Sequence, residues 1–145
     1  MDWGERRIGL AVSDPTGIIA TALPTLVVRG REDALARVLA AASEREAERI
    51  VVGLPLRMSG ARGEAAETAE AFAADLRART NVAVEMYDER LTSAISQRRL
   101  HETGVRTPRN QTGARRQRAR ERVDAGAAAA LLESYLTWLS SRGEP

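Results

Sequence analysis

Acidic residues interrupt three otherwise apolar stretches of this chain, and they restrict the folds that it can adopt. Asp2 precedes an apolar run, Asp88 and Glu89 follow a strand-like segment, and Asp124 opens a segment rich in alanine and leucine. A carboxylate beside buried sequence is costly unless its charge is compensated. Carboxylates that converge from distant elements bind divalent metal ions, and such ions catalyse phosphodiester cleavage.

Each acid also has an explanation that needs no metal. Asp124 could stabilise the positive end of a helix dipole. Asp88 and Glu89 could be polar loop residues, and Asp2 could be solvated beside the N-terminus. The hypothesis of a shared site therefore depends on the acids occurring together.

Length and composition predict one domain spanning residues 1–145, because a chain of 145 residues can bury a single sizeable core. No apolar run approaches the roughly 20 residues of a membrane span, and no leader segment is recognisable, so we expect a cytoplasmic protein without a membrane anchor. The chain has no cysteine, and His101 is its only histidine. Any metal site must therefore be built from oxygen ligands.

The basic residues indicate contacts with phosphate. All 22 of them are arginines, and five of these lie within residues 115–122, just before Asp124. Arginine binds phosphate oxygens bidentately, so Arg115, Arg116 and Arg118 are candidate nucleic-acid contacts, although a solvated helix face or loop explains them equally well. Arg7 and Arg90 are further candidates, or else ion-pair partners of the neighbouring acids. Aromatic residues are few, which favours recognition of backbone and shape over base stacking.

The pattern along the chain predicts a hairpin followed by alternating helices and strands. Residues 8–13 and 18–28 form the arms of the hairpin, around a turn at residues 14–17. Helices are predicted at 31–48, 64–79, 92–102 and 123–140, and strands at 49–54 and 82–87. Residues 103–120 are rich in turn formers at their start, and we expect a mobile loop there. This order predicts a mixed sheet covered by helices.

Four motifs in order give the chain a resemblance to a known family. They are D-x-G-x-x-R-I-G-L-A-V-S-D at residues 2–14, V-V-G-L-P-L-x-M-x-G at 51–60, D-E-R-L-T-S at 88–93, and V-D-x-x-A-A-x-x-L-L-x-x-Y-L at 123–136. Together they resemble the YqgF/RuvX family. The resemblance implies an RNase H-like fold, with a mixed five-stranded sheet and helices on both faces. It also implies a nuclease that acts on Holliday junctions or matures the 5′ end of 16S ribosomal RNA.

The resemblance further implies the roles of the acids. Asp2 would be the acid of the first strand, Glu89 the acid after the fourth, and Asp124 the acid of the last helix. These three would hold Mg²⁺ or Mn²⁺. Asp88 matches a less essential position and would be an auxiliary ligand or a structural capper.

One departure from the family pattern concerns the first strand. Several apolar residues normally precede its acid, whereas here only Met1 precedes Asp2. We expect a shortened central strand, caused either by a chain start downstream of the natural one, which we favour, or by a frayed strand that holds Asp2 loosely.

Three classes of function remain open from the sequence. The first is a metal-dependent endonuclease, for which a junction substrate requires a two-fold homodimer whereas RNA trimming does not. The second is a nucleotide-binding domain like those of actin and sugar kinases, but 145 residues leave no room for the second domain that such proteins use. The third is a non-catalytic nucleic-acid-binding factor, which would gain from losing acids beside the phosphate path. The sequence does not choose between DNA and RNA.

Overall fold

The computed structural model describes residues 1–4, 6–92 and 113–143, without the side chains of residues 115–117 and 119–124. The described strands are β1 (Arg7–Ile8), β2 (Ala11–Ser13), β3 (Ala20–Ala22), β4 (Leu26–Val27), β5 (Arg49–Leu54) and β6 (Ala83–Asp88). The described helices are α1 (Arg31–Glu44), α2 (Glu64–Arg79) and α3 (Gly113–Ser141), and one turn of 3₁₀ helix covers Glu89–Leu91. The predicted α/β class is therefore confirmed.

The N-terminal segment forms the predicted hairpin, with each arm divided in two. β2 pairs antiparallel with β3, and β1 pairs antiparallel with β4. Asp14 closes the turn between β2 and β3, since its carboxylate accepts the backbone N–H groups of Ile18 and Ile19 at 2.8 and 2.9 Å. Gly17 completes this turn with a φ of 71°, a conformation that favours glycine.

The β5–β6 pair determines where the acids meet. These strands are parallel, with Leu54 opposite Asp88, so their carboxyl ends lie at one edge. The first residue of the chain joins this pair, because Met1 donates its ammonium to the Val51 carbonyl at 2.5 Å and accepts from Gly53 N–H at 3.0 Å. Asp2 in turn exchanges two backbone hydrogen bonds with Gly9, at 2.9 and 3.0 Å. The chain start thus lies between β5 and the hairpin.

The continuous five-stranded sheet implied by the resemblance is not present among the described residues. Their strands form three two-stranded pairs: Leu23 N–H, which donates to the Leu10 carbonyl at 2.9 Å, connects the two pairs of the hairpin, and the backbones of Met1 and Asp2 connect the hairpin to the β5–β6 pair. Between β5 and the hairpin, Met1 and Asp2 each form hydrogen bonds to one neighbour, which is too short a run for a continuous ladder.

Helices cover both faces of these strands. α1 and α2 lie over a core that includes Ile8, Val52, Phe72 and Leu76. α3 lies over the opposite face, where Val51 and Tyr87 pack against its own buried residues. The alternation of neighbouring β5 residues between the two cores follows from the two-residue period of a strand. The strands at whose ends Asp2 and Glu89 lie are therefore packed between helices on both faces.

The start of the last helix was wrongly predicted. α3 begins at Gly113 rather than near Val123, so residues 113–120, which we assigned to a mobile loop, lie in a helix. Arginine, glutamine and alanine dominate that stretch and are strong helix formers, whereas the turn formers end at Gly113. The predicted helix at 92–102 and the rest of the loop, 103–112, lie outside the described residues. None of the described helices combines the length and apolarity needed to cross a membrane.

Candidate active site at the carboxyl edge of the strands

Asp2 and Glu89 come together at the carboxyl edge of the β5–β6 pair. Asp2 follows the single residue that bridges to β5, and Glu89 opens the 3₁₀ turn that ends β6. Their carboxyl groups share a hydrogen bond. Burial, the charge of Asp2 and this hydrogen bond raise the pKa of Glu89 to about 7, although the ammonium of Met1 opposes the shift. Two carboxyl groups from distant parts of the chain thus compete for one proton.

Glycine at position 53 makes this arrangement possible. A Cβ on Gly53 would lie 2.5 Å from Glu89 Oε1 and 2.7 Å from Leu131 Cδ1. These separations are too short for any side chain, so the Glu89 carboxyl group occupies the space that a Cβ would fill. The sequence marks Gly53 only as one residue of the second motif. The contact with Leu131 could not be found there, because it depends on how α3 docks.

Asp88 is directed toward Arg90. One of its oxygens accepts the backbone N–H of Arg90 at 2.9 Å, and the Arg90 guanidinium binds both oxygens over 2.7 to 3.1 Å. These hydrogen bonds lower the pKa of Asp88, and the one from the guanidinium has the largest effect. Of the two roles considered for Asp88, this is the geometry of the structural capper. Arg90 correspondingly adopts the ion-pair role.

Asp124 lies within α3, and its side chain is outside the described part of the structure. Its position in the helix still excludes one explanation. The helix begins at Gly113, so Asp124 lies about three turns from the N-terminus, and the helix dipole acts only within the first turn. Ala128 and Leu131, one and two turns later, are buried. Asp124 therefore belongs to the same helical stripe as Leu131, which contacts Gly53.

The remaining residues of α3 and the candidate arginines differ in exposure. Tyr135 is buried, whereas Ala127 is exposed and Trp138 is 36% exposed, because the buried face of α3 runs through Ser134 and Leu139. Arg118 is exposed and Arg7 is partly buried in β1; the side chains of Arg115 and Arg116 lie outside the described residues.

Ser134 connects the acidic edge to α3 and was not identified from the sequence. Its hydroxyl oxygen lies 2.8 Å from the Tyr87 hydroxyl and donates to the Leu91 carbonyl at 3.3 Å. Tyr87 and Leu91 stand two residues before and after Glu89. Ser134 and Tyr87 are both buried, so this polar contact fixes the turn that carries Glu89 against the helix that carries Asp124.

The donor set suits a hard cation. Asp2 and Glu89 offer carboxylate oxygens, the ligands that Mg²⁺ and Mn²⁺ prefer. Because the two groups lie close together, a bound cation would relieve the repulsion between their ionised forms. Among the side chains that the structure describes, no third acid or histidine joins them. The two described ligands fit a metal site that needs at least one more.

Comparison with known proteins decides the family. The profile described as "RuvX: Holliday junction resolvase" matches residues 1–138. The chain belongs to the RuvX family. The resemblance found in the sequence is thereby confirmed.

Several relatives of this RuvX-family chain carry the name "Putative pre-16S rRNA nuclease". The one from Chloroflexus aurantiacus is 38% identical over 136 residues, covering 94% of this chain and 83% of the relative. The one from Anaeromyxobacter dehalogenans is 43% identical over 136 residues, covering 94% and 93%. The one from Koribacter versatilis is 47% identical over 103 residues, covering 71% and 67%.

Proposed function

We propose that this protein is a divalent-metal-dependent endonuclease that hydrolyses phosphodiester bonds in structured nucleic acid. The observation that carries the proposal is the pair of carboxyl groups of Asp2 and Glu89, which share a hydrogen bond above Gly53. Two carboxyl groups this close repel each other when both are ionised. Titratable groups held in such an unfavourable arrangement cluster at functional sites. Family membership supports nucleic acid as the partner.

Asp2, Glu89 and Asp124 would hold Mg²⁺ or Mn²⁺. When bound, such ions activate a water molecule and neutralise charge on the phosphate. Asp124 lies on the same stripe of α3 as Leu131. Leu131 and Glu89 both approach Gly53, so this stripe faces the acidic edge, which supports Asp124 as the third ligand. The hydrogen bonds that Ser134 makes with Tyr87 and Leu91 would keep the turn that carries Glu89 in place.

An RNase H-like sheet is the arrangement that the hydrogen bonds favour beyond the α/β class. Through Met1 and Asp2 they follow the order β6, β5, the chain start and then the hairpin. That order would bring the first-strand acid next to the acid at the end of β6. It supports the fold that the family implies.

The names of the relatives favour precursor 16S ribosomal RNA as substrate, and the family description favours Holliday junction DNA. A junction has two strands to cut symmetrically, so a DNA substrate would require a homodimer, whereas a monomer suffices for RNA. The arginine-rich start of α3, residues 115–122, would bind the phosphate backbone in either case.

The test is a parallel cleavage assay on a labelled four-way DNA junction and a precursor 16S RNA fragment, with Mg²⁺ and with Mn²⁺. Asp124→Asn should abolish cutting while binding persists, because the amide cannot replace a carboxylate ligand. The matched control is Glu48→Gln, an exposed acid just before β5, at the opposite edge of the strands, which should cut normally. Binding of both substrates without cutting by the wild-type protein would instead identify a non-catalytic factor.

A further inference from the structure

A small hairpin borders the acidic edge, and we call residues 56–62 the rim hairpin. Leu56 and Arg62 bridge its arms, and Arg57 N–H donates to the Ala61 carbonyl at 3.1 Å. Gly60 N–H donates to the Arg57 carbonyl at 2.7 Å, and the φ of Gly60 is 83°. A tight turn followed by a glycine in the left-handed conformation is a common three-residue hairpin loop. Residues 58–60 form this loop at the tip of the rim hairpin.

The side chain at this tip is apolar. Met58 is 88% exposed, the largest exposure of the large hydrophobic side chains that the structure describes. Polar residues normally occupy such turn positions, because they bond to the nearby backbone and to water. A methionine held there buries little of its side chain in the free protein.

The rim hairpin lies directly beside the proposed catalytic pair. It begins two residues after Leu54, which stands opposite Asp88 in the β5–β6 register. Arg90 Nη1 lies 3.4 Å from the place where a Cβ on Gly60 would be. Arg90 follows Glu89 in the chain, so the Arg90 side chain connects the tip to the residue next to this acid.

Cationic side chains surround the tip. Arg62 pairs with Glu70, and Arg90 pairs with Asp88. Arg57 lies over Gly63, with its Nε 3.2 Å from the position of a Cβ there, and the ion pairs of the described residues include none from Arg57. The tip therefore presents an exposed apolar side chain next to an arginine that forms none of these ion pairs. A nucleic acid could bind both, because its phosphates are anionic and its bases have apolar faces.

We propose that the rim hairpin enters the substrate, with Met58 packed between two adjacent bases near the cut and Arg57 bound to a flanking phosphate. The inference rests on the proposed function, since it takes the bound partner to be nucleic acid. Methionine suits this role because its unbranched, polarisable side chain adapts to the gap between bases. Apolar wedges of this kind unstack a base step and bend the duplex around it.

The test measures binding and base unstacking without cleavage. A four-way DNA junction and a precursor 16S RNA stem, each with 2-aminopurine near the expected cut, are titrated in EDTA. Wild-type protein should raise the 2-aminopurine fluorescence. Met58→Ala should bind about tenfold more weakly and lose the fluorescence rise, whereas Met58→Leu should retain both. Ile18→Ala is the matched control, because Ile18 is 74% exposed in the turn at the far end of the N-terminal hairpin.

The outcomes separate the two proposals. If the wild-type protein binds and Met58→Ala equals it in affinity and fluorescence, the inference is overturned and the nuclease proposal stands. If the wild-type protein binds neither substrate, the inference fails, and the nuclease proposal is decided by its own cleavage assay with Mg²⁺ and Mn²⁺. If Met58→Ala instead changes only the mass measured by light scattering, the tip is a contact between copies of this chain and the inference is also overturned.

Discussion

Replacing Gly53 by alanine should damage both stability and catalysis, because it places one carbon where Glu89 and Leu131 already lie. The added Cβ would stand 2.5 Å from Glu89 Oε1, 2.7 Å from Leu131 Cδ1 and 3.2 Å from Glu89 Cδ. Ordinary van der Waals contact begins near 3.4 Å, so the ends of both side chains must move by most of an ångström. Overpacking of this kind costs about 1 to 3 kcal/mol of unfolding free energy.

The catalytic loss should be larger than the loss of stability suggests. Glu89 moves more easily than the core residue Leu131, since it lies in a short turn, and a displacement of about 1 Å in an active site can lower a rate roughly a hundredfold. Urea denaturation measures the first effect, and metal-dependent cleavage of a labelled substrate measures the second at a temperature where the variant is folded.

Gly126→Ala provides a control of opposite sign. Gly126 lies inside α3 with nothing within 4 Å of an added Cβ, so alanine there should raise the unfolding free energy by about 0.5 to 1 kcal/mol. The reasoning is refuted if Gly53→Ala unfolds at the wild-type urea concentration and cleaves at the wild-type rate.

Two further predictions concern the groups around Glu89. The pKa of Glu89 is raised from 4.5 to about 7 in the folded, metal-free protein, so its stabilising contribution is complete below pH 4.5 and is lost as the pH rises through 7. In EDTA, Glu89→Gln should therefore gain melting temperature relative to wild type between pH 5 and pH 8, and parallel pH profiles would contradict the assignment. Ser134→Ala should cost about 1 to 3 kcal/mol in urea denaturation by leaving the buried Tyr87 hydroxyl without its partner. Adding Tyr87→Phe should recover part of this loss, and simple additivity of the two changes would argue against the contact.

The sequence predicted the elements whose pattern is local. β5 and α2 occur at the predicted residues. A short β-branched run specifies a strand and an apolar stripe at helical spacing specifies a helix, and both patterns depend only on residues close in sequence. The meeting of Asp2 and Glu89 was expected from the resemblance, which implies that they are the acids of the first and fourth strands.

Contacts between distant elements could not be predicted in this way. The crowding of Gly53 by Leu131 depends on how α3 docks, and the turn of Asp88 toward Arg90 depends on a choice between two nearby partners. The early start of α3 was missed because turn formers nearby outweighed the helix propensity of the arginine-rich run. The resemblance implied a continuous sheet, whereas in the structure single backbone bridges connect the strand pairs.

The length of α3 sets a minimum footprint on the substrate. Leu131 contacts the position of Gly53 at the acidic edge, while the exposed Arg118 lies nearer the start of the same helix. A helix rises 1.5 Å per residue, so the two positions are separated by about 20 Å along its axis. A duplex covers that distance in roughly six base pairs. A nucleic acid lying along α3 would therefore have to extend at least that far from the cut before this arginine could reach it.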